Sequence, residues 1–219
     1  MRLRPLHVLC SIFLVLLTLT SVHATNLIAN GDFSEGLDGW NVFSDVPSEY
    51  YNPIASQEKY IWLGVIGDVD ESTNPVAYWY CWKNMQTPAV IGLHQDLLPA
   101  NILLSNVPDC VLTGRIRITL KNGINCMPAF ATVVYSLPDS GRAIKTITLD
   151  TQSTTSWQSF SWNLKNDLPQ NALLTDIWFG GKGSLFAAEI DDINLSVPEP
   201  ASVLCILTGL ISIAFRKRY

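Results

Sequence analysis

The chain has 219 residues, of which 48% are hydrophobic and 15% are charged, and its formal net charge is −5. A chain of this length can bury the core of one sizeable domain after its two terminal segments are set aside. The acidic balance excludes nucleic-acid binding of the usual electrostatic kind, because phosphates require a basic protein face.

The first 24 residues have the order of a secretory signal peptide. Arg2 and Arg4 precede an apolar run over 8–19, and Val22 and Ala24 supply small residues before a cleavage site. The sequence therefore predicts a signal peptide over 1–24 and export of the rest. The alternative is an uncleaved membrane anchor, although the run is shorter than the roughly 20 residues of a spanning helix.

Residues 25–196 predict an all-β domain. Short runs rich in Val, Ile, Thr, Tyr, Phe and Trp are separated by clusters of Gly, Pro, Asn and Asp. The predicted strands are 25–30, 40–45, 60–65, 77–82, 90–97, 112–120, 130–135, 144–149, 157–164, 177–180 and 189–195. Short strands at this spacing predict a β-sandwich or a barrel.

Two clusters of aromatic residues are the candidate ligand-binding groups. The candidate binding residues are Tyr60 and Trp62 in the first cluster and Tyr78, Tyr80 and Trp82 in the second. Alternation along a strand places the last three on one face, and Trp79 with Cys81 on the other. Because aromatic rings pack against the C–H faces of sugars, the pattern predicts glycan binding. The alternative is that most of these rings fill the core.

Other aromatic residues are expected to contribute to the core. They are Trp40, Trp157, Trp162 and Trp178. Alternation in the segment 157–162 separates Trp157, Ser159 and Ser161 from Gln158, Phe160 and Trp162.

The ectodomain offers little catalytic chemistry. His94 is its only histidine, and no nucleophile-elbow motif accompanies it. The sequence predicts that the protein is not an enzyme. Its three cysteines, Cys81, Cys110 and Cys126, allow one disulfide in an oxidising compartment. Cys110 with Cys126 is the favoured pairing because these residues flank one segment, and the other pairings stay open.

The opening and closing segments of the ectodomain resemble those of the galactose-binding-like β-sandwich family, which includes many carbohydrate-binding modules. Residues 26–33 read N-L-I-A-N-G-D-F and residues 190–193 read I-D-D-I, with T-T-S-W-Q-S-F-S-W at 154–162. The resemblance implies a jelly-roll β-sandwich with its first and last strands adjacent. It also implies a structural Ca²⁺ ion held by Asp32, Glu35 and Asp191, although Ser34 stands where the family commonly has an acidic residue.

The C-terminal segment 197–219 resembles the PEP-CTERM sorting tail. Pro198, Glu199 and Pro200 precede an apolar run over 201–215, which the cluster Arg216, Lys217 and Arg218 follows. The positive-inside rule orients the domain outward if the run crosses a membrane. The resemblance implies processing by an exosortase, a membrane protease, in a bacterium that makes exopolysaccharide. The alternative is an ordinary C-terminal membrane helix.

These observations together predict an exported, non-catalytic protein. It is expected to be tethered in the inner membrane through its tail and then delivered to the cell envelope or the extracellular matrix, where it binds polysaccharide. The alternatives are a structural or adhesive surface protein without a defined sugar ligand, and a polysaccharide hydrolase.

Overall fold

The computed structural model describes residues 24–45, 61–67, 74–82, 89–123, 126–149 and 154–198. Two antiparallel sheets make up most of this part of the chain. Its strands are β1 (Ala24–Asn26), β2 (Asn41–Ser44), β3 (Ile61–Gly67), β4 (Pro75–Cys81), β5 (Ala89–Asp96), β6 (Val111–Lys121), β7 (Met127–Leu137), β8 (Gly141–Thr148), β9 (Thr154–Asn163), β10 (Leu173–Gly183) and β11 (Phe186–Pro198).

The two sheets are built from non-consecutive strands. Sheet A has the order β3-β4-β11-β6-β9, with β1 paired to β11, and sheet B has the order β2-β5-β10-β7-β8. The described helices are short: the one-turn helix α1 (Leu164–Asp167) and the 3₁₀ turns Leu98–Ala100 and Leu104–Asn106. Asn163 caps α1, because its side-chain oxygen accepts a hydrogen bond from the Lys165 amide at 3.1 Å.

The predicted all-β sandwich is confirmed, and every predicted strand overlaps an observed one. The first strand ends at Asn26 instead of residue 30, and the chain turns over 29–32, where Asn30 has a φ of 47°. The later strands β10 and β11 run further than predicted, to 11 and 13 residues.

The core lies between the two sheets. Its largest fully buried side chains include Trp79, Phe33, Phe179 and Phe186. The Trp79 indole belongs to sheet A and donates a 2.9 Å hydrogen bond to the Pro128 carbonyl of sheet B. Its polar N–H is therefore satisfied inside an apolar layer, as a buried indole requires.

The start and the end of the domain are adjacent, as the family resemblance implies. The Asn26 side-chain oxygen accepts a hydrogen bond from the Leu195 amide at 3.1 Å, and Ile193 N donates to Gly31 O at 2.9 Å. A Cβ atom at Gly31 would lie 2.0 Å from the Ile193 carbonyl oxygen. This close approach of two backbones therefore requires glycine at position 31.

The favoured Cys110–Cys126 disulfide is wrong. Cys110 is fully buried and forms no disulfide. Cys110 directly precedes β6 of sheet A, whereas Cys126 directly precedes β7 of sheet B. Burial, together with the neighbouring Asp109 carboxylate, raises the pKa of Cys110 to about 12. The thiol is therefore protonated and unreactive in the folded chain.

The predicted signal segment up to residue 23, the triplet residues Glu199 and Pro200, and the apolar run 201–215 lie outside the described residues. Within the described part, no helix combines the length and the apolar character that crossing a membrane requires.

Candidate functional site

Four of the predicted ligand-binding rings form one continuous surface, here named the aromatic platform: Trp62, Tyr78, Tyr80 and Trp82. Trp62 lies 6.0 Å from Tyr78 and 6.1 Å from Tyr80, measured between ring centroids. Tyr80 lies 5.6 Å from Tyr78 and 5.5 Å from Trp82. The fifth predicted residue, Tyr60, falls outside the described residues.

The pairing of β3 with β4 explains why these rings meet. Trp62 stands directly opposite Tyr80, and Gly64 stands opposite Tyr78. The Trp62 ring occupies the space above Gly64, where a Cβ atom would lie 2.4 Å from its Cζ2 atom. Trp79 and Cys81 alternate with the platform and are buried in the core. The predicted separation of the two faces of this strand is confirmed.

The platform is partly open to solvent. Trp82 is 51% exposed, whereas the rings of Trp62, Tyr78 and Tyr80 are half-buried. Burial raises the pKa of Tyr78 to about 12, with a further contribution from the Glu189 carboxylate, and burial also raises the pKa of Tyr80. Both hydroxyls therefore stay protonated near neutral pH and can donate hydrogen bonds.

A strip of ion pairs continues the outer face of sheet A beyond the platform. Arg117 bonds Glu189, and the Arg115 Nη2 atom lies 2.6 Å from the Asp191 carboxylate. The Trp157 ring covers both guanidinium groups, at 4.7 Å from Arg115 and 4.9 Å from Arg117. These contacts are cation–π interactions. The expectation that Trp157 contributes to the core is therefore wrong, because it lies on the outer face of β9.

The two carboxylates of this strip are poorly placed for catalysis. The side chains of Glu189 and Asp191 are 3% and 0% exposed. Each is held by an arginine, so neither can approach a substrate as a general acid or base without breaking an ion pair. His94 lies on the other sheet, where its ring packs 5.5 Å from Trp178.

The three predicted calcium ligands do not come together. Asp32 accepts hydrogen bonds from the Ser34 amide and hydroxyl, which lower its pKa. Asp191 is engaged by Arg115, and Glu35 is exposed. Among the described residues, no three His, Cys, Asp or Glu side chains are grouped as metal ligands would be. The predicted set therefore fits a calcium ion poorly.

A polar cleft does lie at the place where the resemblance expects the ion. Its volume is about 390 Å³, and the described residues lining it include Asp32, Asp192, Asn30 and Asn194. Two carboxylates and several amide oxygens are fewer charges than the usual calcium site supplies. Calcium binding by this protein stays a prediction.

A second surface was not predicted from the sequence. It is a groove on the outer face of sheet B with a volume of about 850 Å³, here named the sheet B groove. The described residues that line it are Phe43, Val90, Met127, Phe130, Thr132, Val134, Arg142, Ala143, Ile144, Thr146, Trp178 and Lys182. The expectation that Trp178 contributes to the core is wrong, because it lies in this groove.

Two glycines in the sequence mark a close approach of neighbouring strands in sheet B. Gly92 and Gly180 stand opposite each other in β5 and β10. A Cβ atom at either position would lie 2.1 to 2.3 Å from a carbonyl oxygen of the neighbouring strand. Glycine inside a strand often marks a close backbone approach or a ligand. The Phe43 ring, which lines the groove, lies over Gly92.

The fold of this chain is similar to that of several solved proteins. No protein-family model matches the chain, and no curated protein matches it. The chain is similar to the CBM22-1 xylan-binding domain of Xyn10C from Paenibacillus barcinonensis, with 11% identity, coverage of 83% of this chain and 100% of that one, and a TM-score of 0.51.

Two solved structures from other functional classes have TM-scores close to that of the xylan-binding domain. A cyclase from Fischerella sp. TAU has 16% identity, coverage of 81% of this chain and 98% of that one, and a TM-score of 0.53. The enzymatically active domain of tailspike protein 4 of bacteriophage CBA120 has 11% identity and a TM-score of 0.53, and the match covers 78% of this chain but only 21% of that one. At such identities the likeness shows a β-sandwich fold alone.

Proposed function

We propose that the chain is an exported, non-catalytic glycan-binding protein with a jelly-roll sandwich of the galactose-binding-like type, and that the aromatic platform is its glycan site. The observation that carries the proposal is the continuity of four rings, spaced 5.5 to 6.1 Å between centroids, on a partly exposed sheet face. Such a surface presents the flat apolar area on which pyranose rings pack.

The platform also supplies polar groups next to its rings. The hydroxyls of Tyr78 and Tyr80 remain protonated, and the Trp62 indole nitrogen is buried without a hydrogen-bond partner in the described part of the chain. A buried donor of this kind is satisfied when a ligand offers an acceptor. Sugar hydroxyls are acceptors, and they lie at the edges of the pyranose ring.

Two further observations support a binding role. One of the similar folds is named as a xylan-binding domain. The carboxylates of Glu189 and Asp191 are buried and paired with arginines, so they are not free to act as the acid and base of a glycoside hydrolase.

The terminal segments support the rest of the proposal. Signal peptide 1–24 directs export, and the tail with Pro198, Glu199 and Pro200 holds the chain at the inner membrane until an exosortase-type protease acts. The processed protein then joins the cell envelope or the extracellular matrix, where polysaccharide is its partner.

The test is a pair of substitutions in the platform of the full-length chain, purified in detergent. Tyr80→Ala with Trp82→Ala is compared with Leu98→Ala, which removes an exposed apolar side chain (53% exposed) outside both surfaces. Retention on a panel of insoluble polysaccharides, xylan included, is measured alongside the unfolding temperature. We expect the platform pair to lose retention while the unfolding temperature and the Leu98→Ala control stay close to wild type. Unchanged retention by the platform pair would refute this site.

A further inference from the structure

The sheet B groove has a charge opposite to that of the chain. Arg142 and Lys182 line it, both with exposed side chains, and the described residues of its lining include no carboxylate. The whole chain carries a net charge of −5. The Asp176 carboxylate lies 3.5 Å from Arg142. Because the Arg142 side chain remains 63% exposed, this contact leaves its other donors available.

The groove also contains stacking surfaces. The rings of Phe43 and Trp178 lie 4.9 Å apart on one side of it. The Phe43 ring lies over Gly92, where a Cβ atom would be 2.7 Å from the Phe43 Cζ atom. Two neighbouring aromatic rings offer a flat apolar surface on which a sugar ring can pack.

Polar groups inside the groove lack a complete set of partners. The Trp178 indole nitrogen is buried and has no hydrogen-bond partner in the part of the chain that the structure describes. The hydroxyls of Thr132 and Thr146 are 2.7 Å apart, so each is left with bonding capacity toward the groove. An occupant with hydroxyl and carboxylate oxygens would satisfy these donors.

The length of the groove favours an extended occupant. Its lining comes from every strand of sheet B, β2, β5, β10, β7 and β8. Five strands at a spacing of about 4.8 Å span about 19 Å. A surface of this extent suits a segment of polymer more than a single monosaccharide.

We propose that the sheet B groove is a binding site for an acidic polysaccharide, a polymer with carboxylates on its sugar rings. Phe43 and Trp178 stack on the sugars, and Arg142 and Lys182 contact the carboxylates. A second copy of this chain is disfavoured as the occupant, because two copies joined through the same face would bring like charges together. The site is separate from the aromatic platform, which lies on the outer face of the other sheet.

The test uses polygalacturonate oligomers as the probe, because their methyl esters keep the same backbone without the charge. Binding of each probe to the full-length chain is measured by calorimetry at low and at high salt. We expect the acid to bind at least about tenfold more tightly than the ester, and the difference to shrink with salt. Lys182→Gln and Arg142→Gln should each weaken binding of the acid by about tenfold and leave the ester unaffected.

Lys145→Gln is the matched control, because Lys145 is an exposed lysine on β8 that does not line the groove. It should bind the acid as wild type does, whereas Trp178→Ala should weaken both probes. Equal binding of acid and ester, or a Lys182→Gln variant that binds the acid normally, would overturn the proposal. It would also be overturned if sedimentation showed a dimer that Trp178→Ala converts to a monomer, because the groove would then be occupied by a second copy.

Binding of the acid to the sheet B groove should not depend on the aromatic platform. The Tyr80→Ala and Trp82→Ala pair should keep its affinity for the acid, so failure of the glycan site on sheet A would leave this outcome unchanged. If this double variant lost its affinity for the acid, the acid would bind at the aromatic platform, and the proposal for the sheet B groove would be refuted.

Discussion

Arg117 on β6 and Glu189 on β11 stand directly opposite each other in sheet A, and their side chains form an ion pair that is only 3% exposed on either side. The Arg117 Nε atom donates to Glu189 at 2.7 Å, and Trp157 lies over the guanidinium group. When one partner of a buried ion pair is removed, the remaining charge is left buried without compensation, which destabilises the fold.

Removing one partner should therefore be costly. Glu189→Ala leaves the Arg117 charge buried without its carboxylate, and we expect a loss of about 3–5 kcal/mol in the free energy of unfolding. Arg117→Met combined with Glu189→Leu should recover most of this loss, because neither residue then carries a charge. Urea unfolding measures both variants.

The exposed contact between Arg142 and Asp176 supplies the control for this experiment. Arg142→Ala should cost at most about 1 kcal/mol, because solvent screens this pair. If Glu189→Ala cost no more than Arg142→Ala, the ion pair on sheet A would have no special role in stability.

The position of the Trp62 ring depends on Gly64. Gly64→Ala would bring a methyl group within 2.4 Å of that ring, so the indole must move off the strand. We expect a cost of about 1–3 kcal/mol in unfolding free energy and weaker polysaccharide retention. In a Trp62→Ala background the same substitution should be close to neutral. A double-mutant cycle without coupling between the two positions would contradict this account.

Asp191 should make stability depend on pH in an unusual direction. Burial raises the pKa of its carboxyl above the ordinary value of 3.8, although the hydrogen bond from Arg115 opposes the shift. The folded state therefore holds this proton more tightly than the unfolded state does. Its contribution to stability is complete below the unfolded pKa and is lost as the pH rises through the folded pKa.

The comparison is between wild type and Asp191→Asn across a pH series. The variant lacks this titration. As the pH rises from about 3.8, the free energy of unfolding of wild type should therefore fall relative to that of the variant. Parallel curves for the two proteins would show that the Arg115 interaction balances burial and that the pKa of Asp191 is not raised.

The two terminal signals predict the mass of the mature protein. Expressed in its own host, the chain should begin near Thr25, end between Pro198 and Pro200, and fractionate outside the inner membrane. Intact-mass analysis of each fraction measures this. A species that keeps Tyr219 and remains in the inner membrane would show that the tail is an ordinary anchor.

Local patterning was sufficient for the elements and for one of the two surfaces. Period-two alternation separated Tyr78, Tyr80 and Trp82 from Trp79 and Cys81, because successive side chains of a strand point to opposite faces. The pairing of Trp62 with Tyr80 needed the register between β3 and β4, which alternation does not contain. Alternation also predicted that Trp157 and Trp162 lie on opposite faces of β9, but it could not say that Trp157 was the exposed one.

What the sequence alone determined about this protein is its all-β class, the approximate positions of its strands, and the terminal segments that predict export. These properties depend on residues close together in the chain. Only the tertiary structure decided that Cys110 is buried without a disulfide and that Asp191 forms an ion pair with Arg115. It also decided which residues line one groove, among them Phe43, Trp178, Arg142 and Lys182. The order of strands in a sheet brings these residues together, and that order is set by the packing of the whole core.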